Sequence, residues 1–119
     1  MKIVYSNKNV MEQCKNIKVA TKLFGGNKQL VIKLFSRINL INNAINMRDI
    51  INYPQLRFHS LKGELKGYYA IDVKSIRDPW RIIIKPIFND IDINDSLDIT
   101  RIQDKITALE IKEVSKHYE

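Results

Sequence analysis

The sequence predicts an α+β fold in which N-terminal helices pack on one face of a twisted, mostly antiparallel sheet of four or five strands. Three observations predict it: an apolar stripe of helical period over residues 28–47, a change to short alternating runs after Pro54, and tight turn sequences between those runs. Ahead of the helices, Lys2 to Ser6 reads as a short strand, and Asn7 or Asn9 is placed to cap a helix running through Met11 to Ile17. Gly25-Gly26-Asn27 breaks that pattern. From Lys28, the residues Val31, Leu34, Phe35, Ile38, Ile41 and Ile45 recur at spacings of three and four, which predicts an amphipathic helix to about Met47. Its other face, with Lys28, Lys33, Arg37 and several asparagines, reads first as solvated surface and second as a track for phosphates.

Beyond Pro54 the strand-like runs are Leu56 to Ser60, Tyr68 to Ser75 and Trp80 to Lys85. In the middle run Tyr69, Ile71 and Val73 alternate with Tyr68, Ala70 and Asp72; in the next, Arg81, Ile83 and Lys85 share one face and Ile82 and Ile84 the other. The loop Lys62 to Gly67 and the turn Arg77-Asp78-Pro79 are too short for crossovers, so a three-stranded antiparallel meander is expected. Residues 89–104, rich in aspartate, read as an acidic loop or an added hairpin, and Ile106 to His117 as a final strand.

With 119 residues, a single domain over 1–119 is expected, with one active or binding surface. The composition, 45% hydrophobic, is that of a folding chain rather than a disordered one. The formal charge of +7 is unevenly spread: residues 1–85 hold 16 basic and 5 acidic side chains, a net of +11, and residues 86–119 hold 4 and 8, a net of −4. A polyanion is a natural partner for the basic body, although small basic proteins are common enough that charge alone favours nucleic acid only modestly. Cys14 has no second thiol to pair with, no secretory h-region opens the chain, and no apolar run nears the ~20 residues of a membrane span. A cytoplasmic protein without membrane contact is expected.

No phosphate-cradling glycine loop, Cys/His metal cluster or Gly-x-Ser-x-Gly elbow is present, so no metal and no cofactor are expected. The two histidines, His59 and His117, lie in strand-like segments beside basic or phenolic residues. Cutting RNA takes a base for the 2′-hydroxyl, an acid for the leaving 5′-oxygen and cations for the charge of the transition state. Histidine suits both proton transfers; Lys62, Lys66 and Arg81 are candidates for the charge, and Tyr68, Tyr69 and Tyr118 for base stacking or hydrogen bonds. Arg57, Lys66, Tyr68, Lys85 and Lys116 make up the candidate RNA contacts. The competing assignment is structural for each: a histidine at a strand end, tyrosines at sheet margins, and Trp80-Arg81 as a stacked pair.

The stretch Arg57-Phe58-His59-Ser60-Leu61-Lys62-Gly63-Glu64-Leu65-Lys66-Gly67-Tyr68-Tyr69-Ala70-Ile71, followed by Pro79-Trp80-Arg81-Ile82, resembles the signature of HigB toxins in the RelE/ParE superfamily. In that family a His-x-Leu-Lys-Gly-x-Leu-x-Gly-Tyr segment leads to a Trp-Arg-Ile strand, and the last strand carries His and Tyr. The resemblance implies the toxin of a type II toxin–antitoxin system: a metal-independent, ribosome-dependent endoribonuclease that cuts mRNA. It is neutralised by a cognate HigA-like helix-turn-helix antitoxin, and operator DNA is met only through that antitoxin. Carried over, His59 matches the motif histidine, Lys62 the motif lysine and Arg81 the phosphate-binding arginine, all three catalytic. The family's Asp-Tyr-His ending meets Ser115-Lys116-His117-Tyr118-Glu119 here, so the C-terminal catalytic position falls on His117 or Tyr118, with no matching aspartate. The alternative is a non-enzymatic ParE-like inhibitor of DNA gyrase, which shares the architecture and has no evident use for these histidines.

Overall fold

The structure is a computed structural model that describes residues 1–88 and 99–116. Four helices begin where the sequence offers an asparagine to receive the orphan N–H groups of a first turn. Asn7 opens α1 (Lys8–Lys15), its Oδ1 accepting from Val10 N at 2.9 Å. Asn16 closes α1 and opens α2 (Ile17–Leu23), accepting from Lys18 N and Val19 N, so the single helix expected to Ile17 is two helices joined at one residue. Asn27 opens α3 (Lys28–Asn43) and Asn46 opens α4 (Met47–Ile51).

The predicted helix over 28–47 therefore stops early. Ala44 turns to extended backbone, and the Ile45 N–H is taken by Asp49 Oδ2 at 2.8 Å, one turn into the next helix. Ile45, assigned to the apolar stripe, is consequently 77% exposed, while Met47 and Ile50 of α4 are fully buried. Asn46 also ties this corner to the far end of the chain, since its Nδ2 donates to the Asp104 carbonyl and Met47 N–H to the Ile106 carbonyl. Asn46→Ala is expected to lose the cap and the tie together, lowering stability by about 1–2 kcal/mol. Thermal melting monitored at 222 nm checks this; an unchanged midpoint would show that α4 is held by packing alone.

Among the described residues the sheet has five strands in the order β1-β5-β4-β3-β2, where β1 is Lys2–Tyr5, β2 His59–Ser60, β3 Tyr69–Asp72, β4 Trp80–Ile87 and β5 Ala108–Lys116. Strands β2 to β5 form an antiparallel meander, and β1 closes the other edge parallel to β5, with Lys2 opposite Ala108. The strand expected over Leu56 to Ser60 is much shorter. Pro54–Leu56 form a 3₁₀ turn, Arg57 enters the left-handed region (φ 50, ψ 50), and only two residues pair as β2. Residues 89–98 of the predicted acidic loop or hairpin, and the C-terminal 117–119 with His117 and Tyr118, lie outside the described residues; 99–105 form two short 3₁₀ turns.

One face of the sheet packs on the helices. Tyr69, Ile71, Ile82, Ile84, Leu109, Ile111 and Val114 join Val10, Leu34, Ile38, Ile41 and Met47 in the main core. Arg37, assigned to the solvated face of α3, is instead 7% exposed, and its Nε donates to the Asp72 carbonyl at 3.1 Å. Burial pushes the Cys14 thiol up to about 12, and Tyr5 rises to about 12 through burial and, secondarily, the neighbouring Cys14. Neither is a reactive group at neutral pH. No described helix is long and apolar enough to cross a membrane.

Candidate functional site

The other face of the sheet carries the motif residues. Residues paired across neighbouring strands project to the same side, so His59, Ala70, Ile83 and Glu113 form one row and Asp72, Arg81 and Ser115 the next. Leu61, Ala70 and Ile83, with Leu65 and Tyr68 against them, make a small apolar floor separate from the main core. The loop from β2 to β3 closes over one end of this floor through Leu61 N–H to the Tyr68 carbonyl and Tyr68 N–H to the Leu65 carbonyl, both 3.0 Å. Gly63 (φ 65) and Gly67 (φ 93) occupy the left-handed region in it, which is why the motif has glycine at both positions. Lys62 and Lys66 stand exposed on this loop.

Tyr68 gathers positive charge. The Lys85 ammonium lies 5.4 Å and the Lys112 ammonium 5.2 Å from its ring centroid, within the range of cation–π attraction. Lys112 follows Ile111, which faces the main core, so alternation puts it on the Tyr68 face; it is also the extra residue of a bulge, since Ile83 opposes Glu113 and Ile84 opposes Ile111. Lys112 was not among the residues expected at the site, although the alternation of Leu109 and Ile111 already places it on the face opposite theirs.

His59 is half-buried, and its Nδ1 sits 2.7 Å from the Arg57 carbonyl. A carbonyl only accepts, so Nδ1 carries the proton and donates it, leaving Nε2 as the lone-pair nitrogen of the neutral ring. Nε2 is shielded from solvent.

The two arginines expected at RNA are engaged within the fold. Arg81 is 4% exposed. Its Nε lies 3.1 Å from Asp72 Oδ1, and its terminal nitrogens donate to the carbonyls of Ser75, Ile76, Asp78 and Trp80, filling the turn between β3 and β4. Arg57 grips the same carboxylate in bidentate fashion, Nε to Oδ2 and Nη2 to Oδ1, both 3.1 Å. With Arg37 on its carbonyl, Asp72 is the meeting point of three arginines, and it is 1% exposed. A buried carboxylate needs such partners, since an unpaired one would cost several kcal/mol. Arg81 thus holds a turn rather than standing open to a phosphate.

Lys116 is also placed elsewhere. It pairs with Trp80, and its ammonium lies 5.7 Å from the Trp80 ring on the helix side of the sheet, where Phe24 meets that ring edge-on at 4.9 Å. Trp80 and Arg81 consequently point to opposite faces and do not stack on each other. The structure brings together His59, Tyr68, Lys85 and Lys112 beside the loop of Lys62 and Lys66; it separates Lys116 from them and commits Arg57 and Arg81 to Asp72. Among the described residues, no group of three or more His, Cys, Asp or Glu is arranged to hold a metal ion.

The arrangement defines a class: an α+β domain whose open sheet face carries one histidine and a cluster of lysines around a tyrosine. No family model and no curated protein matches the sequence. Among solved structures, it is similar to a YoeB/ParE toxin from Agrobacterium tumefaciens (16% identity, TM-score 0.49, covering 99% of this chain and 100% of that one). It is also similar to YafQ from E. coli (17% identity, TM-score 0.48, covering 98% of this chain and 92% of that one).

Proposed function

We propose that this chain is the toxin of a type II toxin–antitoxin pair, a HigB-type endoribonuclease that cuts mRNA on the ribosome without a metal ion. The observation that carries the reading is the pair of ammonium groups, Lys85 and Lys112, over the Tyr68 ring on the face that bears His59. The His-x-Leu-Lys-Gly-x-Leu-x-Gly-Tyr motif supports it independently.

In this reading Nε2 of His59 takes the proton of the 2′-hydroxyl as that oxygen attacks the adjacent phosphorus. A 2′,3′-cyclic phosphate forms, the bond to the 5′-oxygen breaks, and a C-terminal group at His117 or Tyr118 returns a proton to the leaving oxygen. Lys85, Lys112, Lys62 and Lys66 balance charge on the phosphate, and Tyr68 offers a ring edge for a base. RNA has to enter where Nε2 is now shielded, so the reactive geometry belongs to the ribosome-bound complex. The basic face is the natural target of a HigA-like helix-turn-helix antitoxin, which alone would contact operator DNA, and the setting of all these steps is the cytoplasm.

Incubation with translating ribosomes, followed by mapping of message ends, tests the reading. The parent chain is expected to produce discrete breaks. The double variant Lys85→Gln/Lys112→Gln is expected to bind single-stranded RNA more weakly, with a salt slope shallower by about 0.7 for each phosphate that is no longer neutralised. Intact message, together with inhibition of gyrase supercoiling, would replace this reading with the ParE-like one.

A further inference from the structure

The geometry points to Asp72 as a positioning residue that sets the tautomer of His59 through Arg57. The inference rests on the ribonuclease reading for its catalytic meaning, but its structural content stands on three linked observations. First, Asp72 is immobilised from several sides: Arg81 Nε on Oδ1, Arg37 Nε on its carbonyl, and its place in β3 opposite Arg81. Second, Arg57 is the one non-glycine residue at positive φ among the described residues, and the Nε–Nη2 edge of its guanidinium is clamped to that fixed carboxylate. Third, the carbonyl of this same left-handed residue is the acceptor for His59 Nδ1–H at 2.7 Å.

A residue other than glycine holds the left-handed conformation only where its surroundings impose it. Arg57 is anchored by its N–H bond to the Pro54 carbonyl and by the bidentate pair with Asp72. The pair is charge-assisted and half-sheltered, with side-chain exposures of 33% and 2%. If Arg57 relaxes to an extended or right-handed conformation, its carbonyl turns away from the ring. His59 then loses the acceptor that keeps the proton on Nδ1, and the imidazole drifts toward the Nε2–H form, which cannot take a proton at Nε2. A histidine's partner on the far nitrogen commonly decides which nitrogen does the chemistry.

The test is a long-range nitrogen–proton correlation spectrum of the imidazole in the full chain without RNA, at a pH where His59 is neutral, with backbone amide spectra as the check of folding. The parent is expected to show the Nδ1–H pattern. Arg57→Ala removes the clamp while leaving Asp72 its Arg81 partner, and is expected to bring the Nδ1–H form below half of the population. Asp72→Asn is expected to do the same and to lower cleavage by about 10²-fold or more without a matching loss of ribosome affinity, the scale seen where a histidine's orienting partner is removed. Should Asp72→Asn fail to fold, Arg57→Ala decides alone. Retention of the parental pattern in folded Arg57→Ala, or an Nε2–H pattern in the parent, overturns the inference. Because the spectrum is recorded without RNA, that failure is separate from a failure to cut message, which would overturn only the ribonuclease reading.

Discussion

Arg81→Ala is expected to lower unfolding stability by about 3 kcal/mol, the lower end of the range for breaking a buried ion pair. The lower end applies because Arg57 remains on the Asp72 carboxylate when Arg81 is gone. Further loss comes from the carbonyls of Ser75, Ile76, Asp78 and Trp80, which surrender their shared donor in a partly buried turn. Domains of this size have only about 5–15 kcal/mol to lose, so the variant should melt well below the parent and populate unfolded chain under mild urea. Arg81→Lys should fall between the two, since one ammonium cannot span a carboxylate and four carbonyls. Urea titration measures all three. A change under about 1 kcal/mol, with cleavage abolished, would return Arg81 to the role of a phosphate ligand; a large change means that lost cleavage in this variant reports instability.

His59→Gln is expected to slow single-turnover cleavage on programmed ribosomes by about 10²–10⁴-fold, the usual contribution of a general acid or base. Ribosome affinity should stay within a few-fold of the parent, because in the proposed reading the lysines around Tyr68 would supply the contacts to phosphate, and they remain in place. Glutamine keeps a polar side chain of similar length at this half-buried position but has no imidazole, so folding should be preserved while proton transfer is not. Parental rates in the folded variant would remove His59 from the chemistry. Equal loss of binding and cleavage would make it a recognition residue.

Much of the fold was legible because its signals are local. An asparagine one residue ahead of a helix declares its cap through the few N–H groups that follow it; Asn7 was readable in this way, whereas the caps at Asn16 and Asn46 sit inside stretches whose spacing reads as continuous helix. The last of these also shows the limit of periodicity. Ile45 continues the apolar spacing of α3, yet the cap at Asn46 ends that geometry before Ile45 can use it. The glycines of the motif likewise announce positive φ, and the structure puts both there. The parallel pairing of β1 with β5 left no trace in either strand's pattern, because it joins residues more than a hundred positions apart whose alternation would suit either direction.

The sequence by itself determined the order of the main elements, the antiparallel meander, the basic body of the chain, and the alternation that sets Tyr68 with Ala70 and Asp72, and Lys85 with Arg81 and Ile83. Only the tertiary structure decided what the arginines do. Arg37, Arg57 and Arg81 look alike in a sequence, each a long cation suited equally to solvent, phosphate or carboxylate. Their fates were set by one aspartate that lies 35 residues from the first and 15 from the second, and opposite the third across a hairpin. Sheet register and the docking of α3 bring Asp72 among them, and a carboxylate buried at that point draws the nearest guanidinium groups because leaving its charge unpaired would cost a large part of the fold's stability. The bulge in β5 was decided there too: one extra residue, Lys112, resets the alternation so that Val114, as well as Leu109 and Ile111, reaches the main core.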